Sequence, residues 1–317
     1  MKNIRKILVL GIAMIAAFAM VACTSQADGE ELNKGEESKN TITIEHELGK
    51  TTLEKQPERI VVFDYGILDA LDKIDAQVVG LPKATLPNYL EKYKSEEYTD
   101  AGTLKEPNFE TIFETNPDLI IISTRQVDLY EEFAAIAPTV YLTVDGGDYL
   151  GSFRNNMEVL GKIFDKEDFF AEEVQKIDDT VSALNEQASN MKETALFLMV
   201  NEGNLSVYGP GSRYGMLYNE FGLKPADEKI ESGTHGQKVS FEYIVDVNPD
   251  YLFVMDRADV TGGESSSDIL DNELIESTNA FKNGNINYLD AHIWYVSSGG
   301  ITGTMRMVEQ VQDALSK

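Results

Sequence analysis

Apolar positions along the chain follow two different periods. Residues 59–64 (RIVVFD), 119–123 (LIIIS) and 139–144 (TVYLTV) are short β-rich runs, continuous enough to be covered on both faces. Helical spacing follows the first run through Leu68 and Leu71, and it fills the gap between the other two over 129–136. From 152 to 190 the pattern changes. Met157, Leu160, Ile163 and Phe164, then Phe170, Val174, Ile177, Val181 and Leu184, recur at helical spacing with no strand-like run between them. One or two long helices are predicted there, with a break near Asp165. Strand-like runs resume at 195–200, 251–255 and 286–289. The pattern predicts an α/β fold: two lobes with mainly parallel sheets, joined by a long backbone helix. The expected boundaries are 41–152 for the N-terminal lobe, 153–191 for the linking helical segment and 192–317 for the C-terminal lobe.

An internal repeat supports two related lobes. Residues 108–125 read NFETIFETNPDLIIISTR, and 240–257 read SFEYIVDVNPDYLFVMDR. At a constant offset of 132, Phe109/Phe241, Glu110/Glu242, Ile112/Ile244, Asn116/Asn248, Pro117/Pro249, Asp118/Asp250 and Arg125/Arg257 are identical. Each copy parses as a capped helix, an Asn-Pro-Asp stop and a buried strand. Asn108 and Ser240 are suitable N-caps, and proline follows each helix. Each strand leads to an arginine. Ligands of open α/β sheets gather beyond the carboxyl ends of the strands, so Arg125 and Arg257 are expected at the edge of one cleft. Arginine is scarce, seven against twenty lysines, and a third one, Arg213, sits in the loop Gly209-Pro210-Gly211-Ser212-Arg213-Tyr214-Gly215. Three such groups can surround an anion with fixed forks of donors.

Charge and composition narrow the partners. Of 317 residues, 54 are acidic and 27 basic, a net charge of −27, which disfavours nucleic acid and anionic lipid. The 42% hydrophobic content is enough for a substantial core. Lys2, Arg5 and Lys6 precede an apolar run over 7–20, too short for a comfortable span and shaped like a secretion signal over 1–22. The run ends in Met20-Val21-Ala22-Cys23, at the single cysteine, so no internal disulfide or cysteine metal site can form. This ending resembles a bacterial lipoprotein signal, in which Cys23 becomes the new N-terminus and carries acyl chains such as palmitate. Residues 23–40 are polar and acidic and are expected to be a flexible tether.

From about residue 41 onward the sequence resembles the class III substrate-binding lipoproteins of ABC importers, most of all those for petrobactin and catecholate siderophores. The segments that carry the resemblance are VVFDYGILDALDKI, GTLKEPNFETIFETNPDLIIISTRQ, YGPGSRYG, GTHGQKVSFEYI, NPDYLFVMDR and IWYVSSGG. The resemblance implies a monomer on the extracytoplasmic face of the cell membrane, capturing an iron(III)-siderophore and delivering it to an ABC permease. It implies a shallow cleft that changes shape little on binding. It also implies that Arg125, Arg213 and Arg257 bind the anionic chelate with His235 and Tyr295. The latter two can complete iron coordination when the siderophore leaves sites open. Glu110 and Glu242 are implied to dock into arginines of the two permease subunits, although a carboxylate early in a helix is also stabilised by the helix dipole. No intrinsic cofactor is expected; the ferric siderophore is cargo.

Enzymatic function has little support: Gly-x-Ser-x-Gly, P-loop and His-Glu-x-x-His patterns are all missing. The three histidines, His46, His235 and His292, are widely spaced, which disfavours a zinc or manganese carrier. A cobalamin or haem carrier of the same fold is the nearest alternative, and a secreted hydrolase the alternative from another class.

Overall fold

The structure, a computed structural model, describes residues 40–233, 235–261 and 267–317. The expected secretion segment, Cys23 and the expected tether up to residue 39 lie outside the described residues.

A hairpin of β1 (Thr41–His46) and β2 (Gly49–Glu54) comes first. Five short strands then build the first sheet: β3 (Ile60–Val62), β4 (Val78–Leu81), β5 (Thr99–Asp100), β6 (Leu119–Ile122) and β7 (Thr139–Tyr141). Their order is β5-β4-β3-β6-β7, and every pairing is parallel. Every residue of β3 and β6 is buried, which is why these strands read as unbroken apolar runs. Helices α1 (Tyr65–Lys73), α2 (Phe109–Glu114) and α3 (Tyr130–Ala134) lie between the strands.

Two long helices follow, α4 (Tyr149–Phe164) and α5 (Glu167–Ser189). The break falls at Asp165, whose φ of 53° ends α4 in the left-handed conformation. Its carboxylate is held by Lys55 at 2.5 Å. At 1.5 Å per residue, α5 is about 34 Å long. It buries one stripe, Phe170, Ile177, Val181, Leu184 and Ala188.

The second sheet holds β8 (Thr194–Asn201), β9 (Asn204–Tyr208), β10 (Lys224–Pro225), β11 (Gln237–Val239), β12 (Tyr251–Asp256) and β13 (Ile286–Leu289). The order is β11-β9-β8-β12-β13, with β10 beside the start of β8. This sheet is mixed. β8, β10, β12 and β13 pair in parallel, but β9 is antiparallel to both β8 and β11. The cause is local: Glu202 and Gly203 both have positive φ, 49° and 79°, the two-residue turn that folds β8 back as a hairpin. Short helices α6 (Met216–Asn219), α7 (Phe241–Val247), α8 (Ala258–Thr261), α9 (Glu273–Glu276) and α10 (Asn279–Lys282) connect these strands, and α11 (Ile301–Leu315) closes the chain.

Strand alternation sorts the core. Ile60, Val62, Leu119 and Ile121 of the first sheet and Phe197 and Phe253 of the second join one continuous cluster with α4, α5 and α11. The alternate residues, Val61, Ile120 and Ile122 on one sheet and Leu196, Leu198 and Val254 on the other, form separate outer clusters. The two sheets therefore share a single central core.

The repeat corresponds to α2–β6 and α7–β12. In both copies the left-handed residue is the asparagine, Asn116 and Asn248, each with φ 47°. The repeated aspartate secures the neighbouring strand: Asp118 accepts from the Glu58 and Arg59 amides at 2.8 and 2.9 Å, and Asp250 from the Thr194 amide at 2.9 Å. The caps differ. Asn108 accepts from the Thr111 amide at 3.2 Å, whereas the Ser240 side chain makes no cap bond to the backbone of α7.

Candidate functional site

A cleft of about 710 Å³ opens at the carboxyl ends of both sheets' parallel strands, where the open-sheet rule expects a ligand. Arg257 directly follows β12, and its amide donates to the Val200 carbonyl at 2.9 Å, extending the ladder. Arg125 stands three residues beyond β6, in a tight turn over Thr124–Leu129. That turn is fixed by the buried Gln126, which accepts from the Ser123 amide at 3.1 Å. Arg213 rides on the 209–215 loop, which is held by Ser212 donating to the Gly209 carbonyl at 2.7 Å and by the buried Tyr214 stacked on Phe197 at 4.2 Å.

All three guanidinium groups converge on Tyr295. Their carbons lie 5.7 Å (Arg125), 4.9 Å (Arg213) and 5.4 Å (Arg257) from its ring centroid, within cation–π range. The Tyr295 carbonyl accepts from Arg125 at 2.9 Å and from Arg213 at 3.3 Å. This carbonyl is free because the helical turn His292–Val296 ends one residue later, which leaves its last carbonyls without partners inside the helix. Arg257 Nε is buried and has no partner among the described residues. A buried donor without a partner is costly, so an acceptor brought in by a ligand would relieve it. His235 lines the same cleft from an exposed turn. Trp294 forms part of the floor, buried against Phe197 and donating to Gln310 at 2.8 Å.

Three lining groups carry no signal in the repeat or the loop composition: Asp64, Lys105 and Tyr208. Asp64 caps α1, accepting from the Ile67 amide at 3.0 Å. Burial pushes its carboxyl above the usual range, opposed by that amide and by the Arg125 charge. Its position just past β3 is the signal that could have found it. Burial likewise pushes the Tyr208 phenol up to about 12, so it remains a neutral donor at physiological pH. Among the described residues no group of three or more His, Cys, Asp and Glu is arranged to hold a metal ion. No described helix is long and apolar enough to cross a membrane.

Glu110 and Glu242 lie outside the cleft, exposed in the first turns of α2 and α7. Ser240 hydrogen-bonds the Glu242 carboxylate and holds it below its ordinary range.

The sequence matches the periplasmic binding protein family over residues 60–293, which takes in both sheets and all three cleft arginines. The chain belongs to this family. Within the family it is 45% identical over 319 residues to petrobactin-binding protein YclQ of Bacillus subtilis, across 99% of this chain and 100% of that protein. The crystal structure of YclQ superposes with a TM-score of 0.86 at 46% identity, covering 87% of this chain and 99% of that one. Ferric-anguibactin-binding protein FatB of Vibrio anguillarum is 34% identical over 85% of this chain and 86% of its own. The periplasmic catecholate-siderophore binding protein VctP of Vibrio cholerae gives a TM-score of 0.82 at 38% identity, covering 86% and 99%.

Proposed function

We propose that this protein is the extracytoplasmic, monomeric binding component of an ABC importer, and that it captures an iron(III)-siderophore of the catecholate or petrobactin type. The observation that carries the proposal is the convergence of Arg125, Arg213 and Arg257 on one cleft in a protein of net charge −27. Ferric catecholates are anionic. A strongly acidic protein needs local, fixed positive charge to hold them, and each charged hydrogen bond of this kind contributes about 1.5–3 kcal/mol. The similarity to YclQ and VctP agrees with that chemistry.

With a hexadentate chelator, Tyr295 and His235 hydrogen-bond to the cargo. With a chelator that leaves iron positions open, the hard phenolate oxygen of Tyr295 and the nitrogen of His235 fill them. Glu110 and Glu242 dock the loaded protein on the permease, and lipidated Cys23 keeps it at the membrane.

The test is quenching of tyrosine and Trp294 fluorescence by a panel of ferric siderophores, cobalamin and haem. Ferric petrobactin and ferric catecholates are expected to bind at micromolar concentration or tighter. Arg125→Ala and Arg257→Ala should each weaken them at least about tenfold with folding kept. Tighter binding of cobalamin or haem than of any ferric siderophore would overturn the proposal. Labelling of wild type but not of Cys23→Ser with radioactive palmitate checks the anchor.

A further inference from the structure

The two helices that carry Glu110 and Glu242 are equivalent in sequence but not in surface. Each helix precedes and runs back against a parallel strand, so its N-terminus lies at the same end of its sheet as the cleft. Both glutamates therefore belong to the face that surrounds the cleft mouth. One turn further on, at i+3 and on the same helix face, the copies differ. The first has Phe113, 68% exposed, the most exposed large apolar side chain among the described residues. The second has Val245, which is only half-exposed. The buried isoleucines beside them, Ile112 and Ile244, are identical, so core packing is served equally in both copies and does not call for the phenylalanine.

Single exposed apolar residues are common on protein surfaces. Phe113 differs in its setting: it is flanked on α2 by the exposed carboxylates Glu110 and Glu114. That grouping matches the anatomy of an interface hot spot, an aromatic anchor beside a charged contact. The partner it fits presents a cationic side chain next to an apolar socket. A pair of glutamates alone would let the molecule sit on two permease subunits either way round.

We propose that Phe113 is the apolar anchor of the docking face, seating beside the Glu110 contact in one permease subunit and so fixing the orientation in which the protein binds. The inference rests on the docking roles proposed above for Glu110 and Glu242.

Full-length variants are expressed in cells lacking the native copy, and uptake of ⁵⁵Fe-petrobactin is measured alongside the chelate affinity of the purified proteins. Phe113→Ser is expected to lower uptake at least about fivefold with affinity unchanged, Phe113→Leu to keep most of it, and Val245→Ser to be neutral. A photo-crosslinking phenylalanine analogue at 113 should mark one permease subunit and the same analogue at 245 the other. If Phe113→Ser transports normally while Glu110→Ala/Glu242→Ala does not, the anchor is wrong and the docking role stands. If all of these transport normally, the docking role falls too. Loss of chelate affinity in Phe113→Ser, or crosslinks from 113 to both subunits equally, would overturn the inference. So would a wild-type dimer, detected by sedimentation, that the serine variant abolishes.

Discussion

Three guanidinium groups drawn to one aromatic ring repel each other, and the ring of Tyr295 offsets that repulsion before any ligand arrives. Its face attracts all three cations, and its carbonyl accepts from two of them. Tyr295→Phe keeps both features and loses only the hydroxyl's hydrogen bond to the cargo, so affinity for a hexadentate ferric chelate should fall only about threefold. Tyr295→Leu loses the ring and should weaken the same chelate about tenfold or more. Equal losses in the two variants, by fluorescence titration, would assign the role to the hydroxyl. At this scale Arg125 and Arg257 were legible through the repeat, and Arg213 through its glycine-proline loop. The Tyr295 carbonyl was not legible, because which distant side chains reach the free carbonyls of a helix end is set by packing.

Between elements, close backbone approach decides the geometry. A Cβ on Gly146, just past β7, would lie 2.4 Å from the Arg213 Cα and 2.8 Å from the Ser212 carbonyl. Both neighbours are backbone and cannot rotate away, so Gly146→Ala should displace the Arg213 loop. Affinity is expected to fall about tenfold with a smaller loss of Tm, checked by titration and thermal melts. Gly66 plays the same part where α1 meets the 298–300 corner: a Cβ there would lie 2.5 Å from the Ser298 carbonyl. There the buried Asp69 accepts from the Gly303 amide at 3.0 Å at the start of α11. Burial holds its carboxyl above the ordinary range. The folded state thus favours the protonated form, and this contribution to stability is present below about pH 4 and lost as pH rises through the raised value. Asp69→Asn should flatten the dependence of Tm on pH, its Tm gaining on the parent's as pH rises; parallel curves would exclude the effect. The positions of β3, β6, β7, β8, β12 and β13 and the helix break at Asp165 were legible from periodicity and from a local backbone preference, whereas β1, β2, β4, β5, β10 and β11 were not. The antiparallel β9 gives no separate apolar run, and only the turn signal of Glu202-Gly203 marks its hairpin.

For the whole molecule, the shared core sets the mechanics. Residues of both sheets pack into one cluster with α4, α5 and α11, and Arg125 and Arg213, from opposite sides of the cleft, already hold the same carbonyl. Tyr295 lies on the same side as Arg213, so a large hinge motion would break the Arg125 bond. Small-angle scattering of the free and ferric-petrobactin-loaded protein should give radii of gyration within about 0.5 Å of each other, and a contraction of more than about 1 Å would contradict a preformed cleft. Transport should depend on the outer face independently of the cleft. Glu110→Ala/Glu242→Ala is expected to keep chelate affinity and impair uptake in cells.

What the sequence determined by itself was local or periodic: the main strand and helix identities and the repeated unit with its paired glutamates and arginines. These follow from spacing, burial pattern and backbone preferences that act over a few residues. Only the tertiary structure decided that three arginines 44 to 132 residues apart share one aromatic ring, that the two sheets share one core, and that Phe113 faces solvent while Ile112 does not. Those outcomes depend on how distant segments pack, and packing is set by the sum of many contacts that no short stretch of chain encodes.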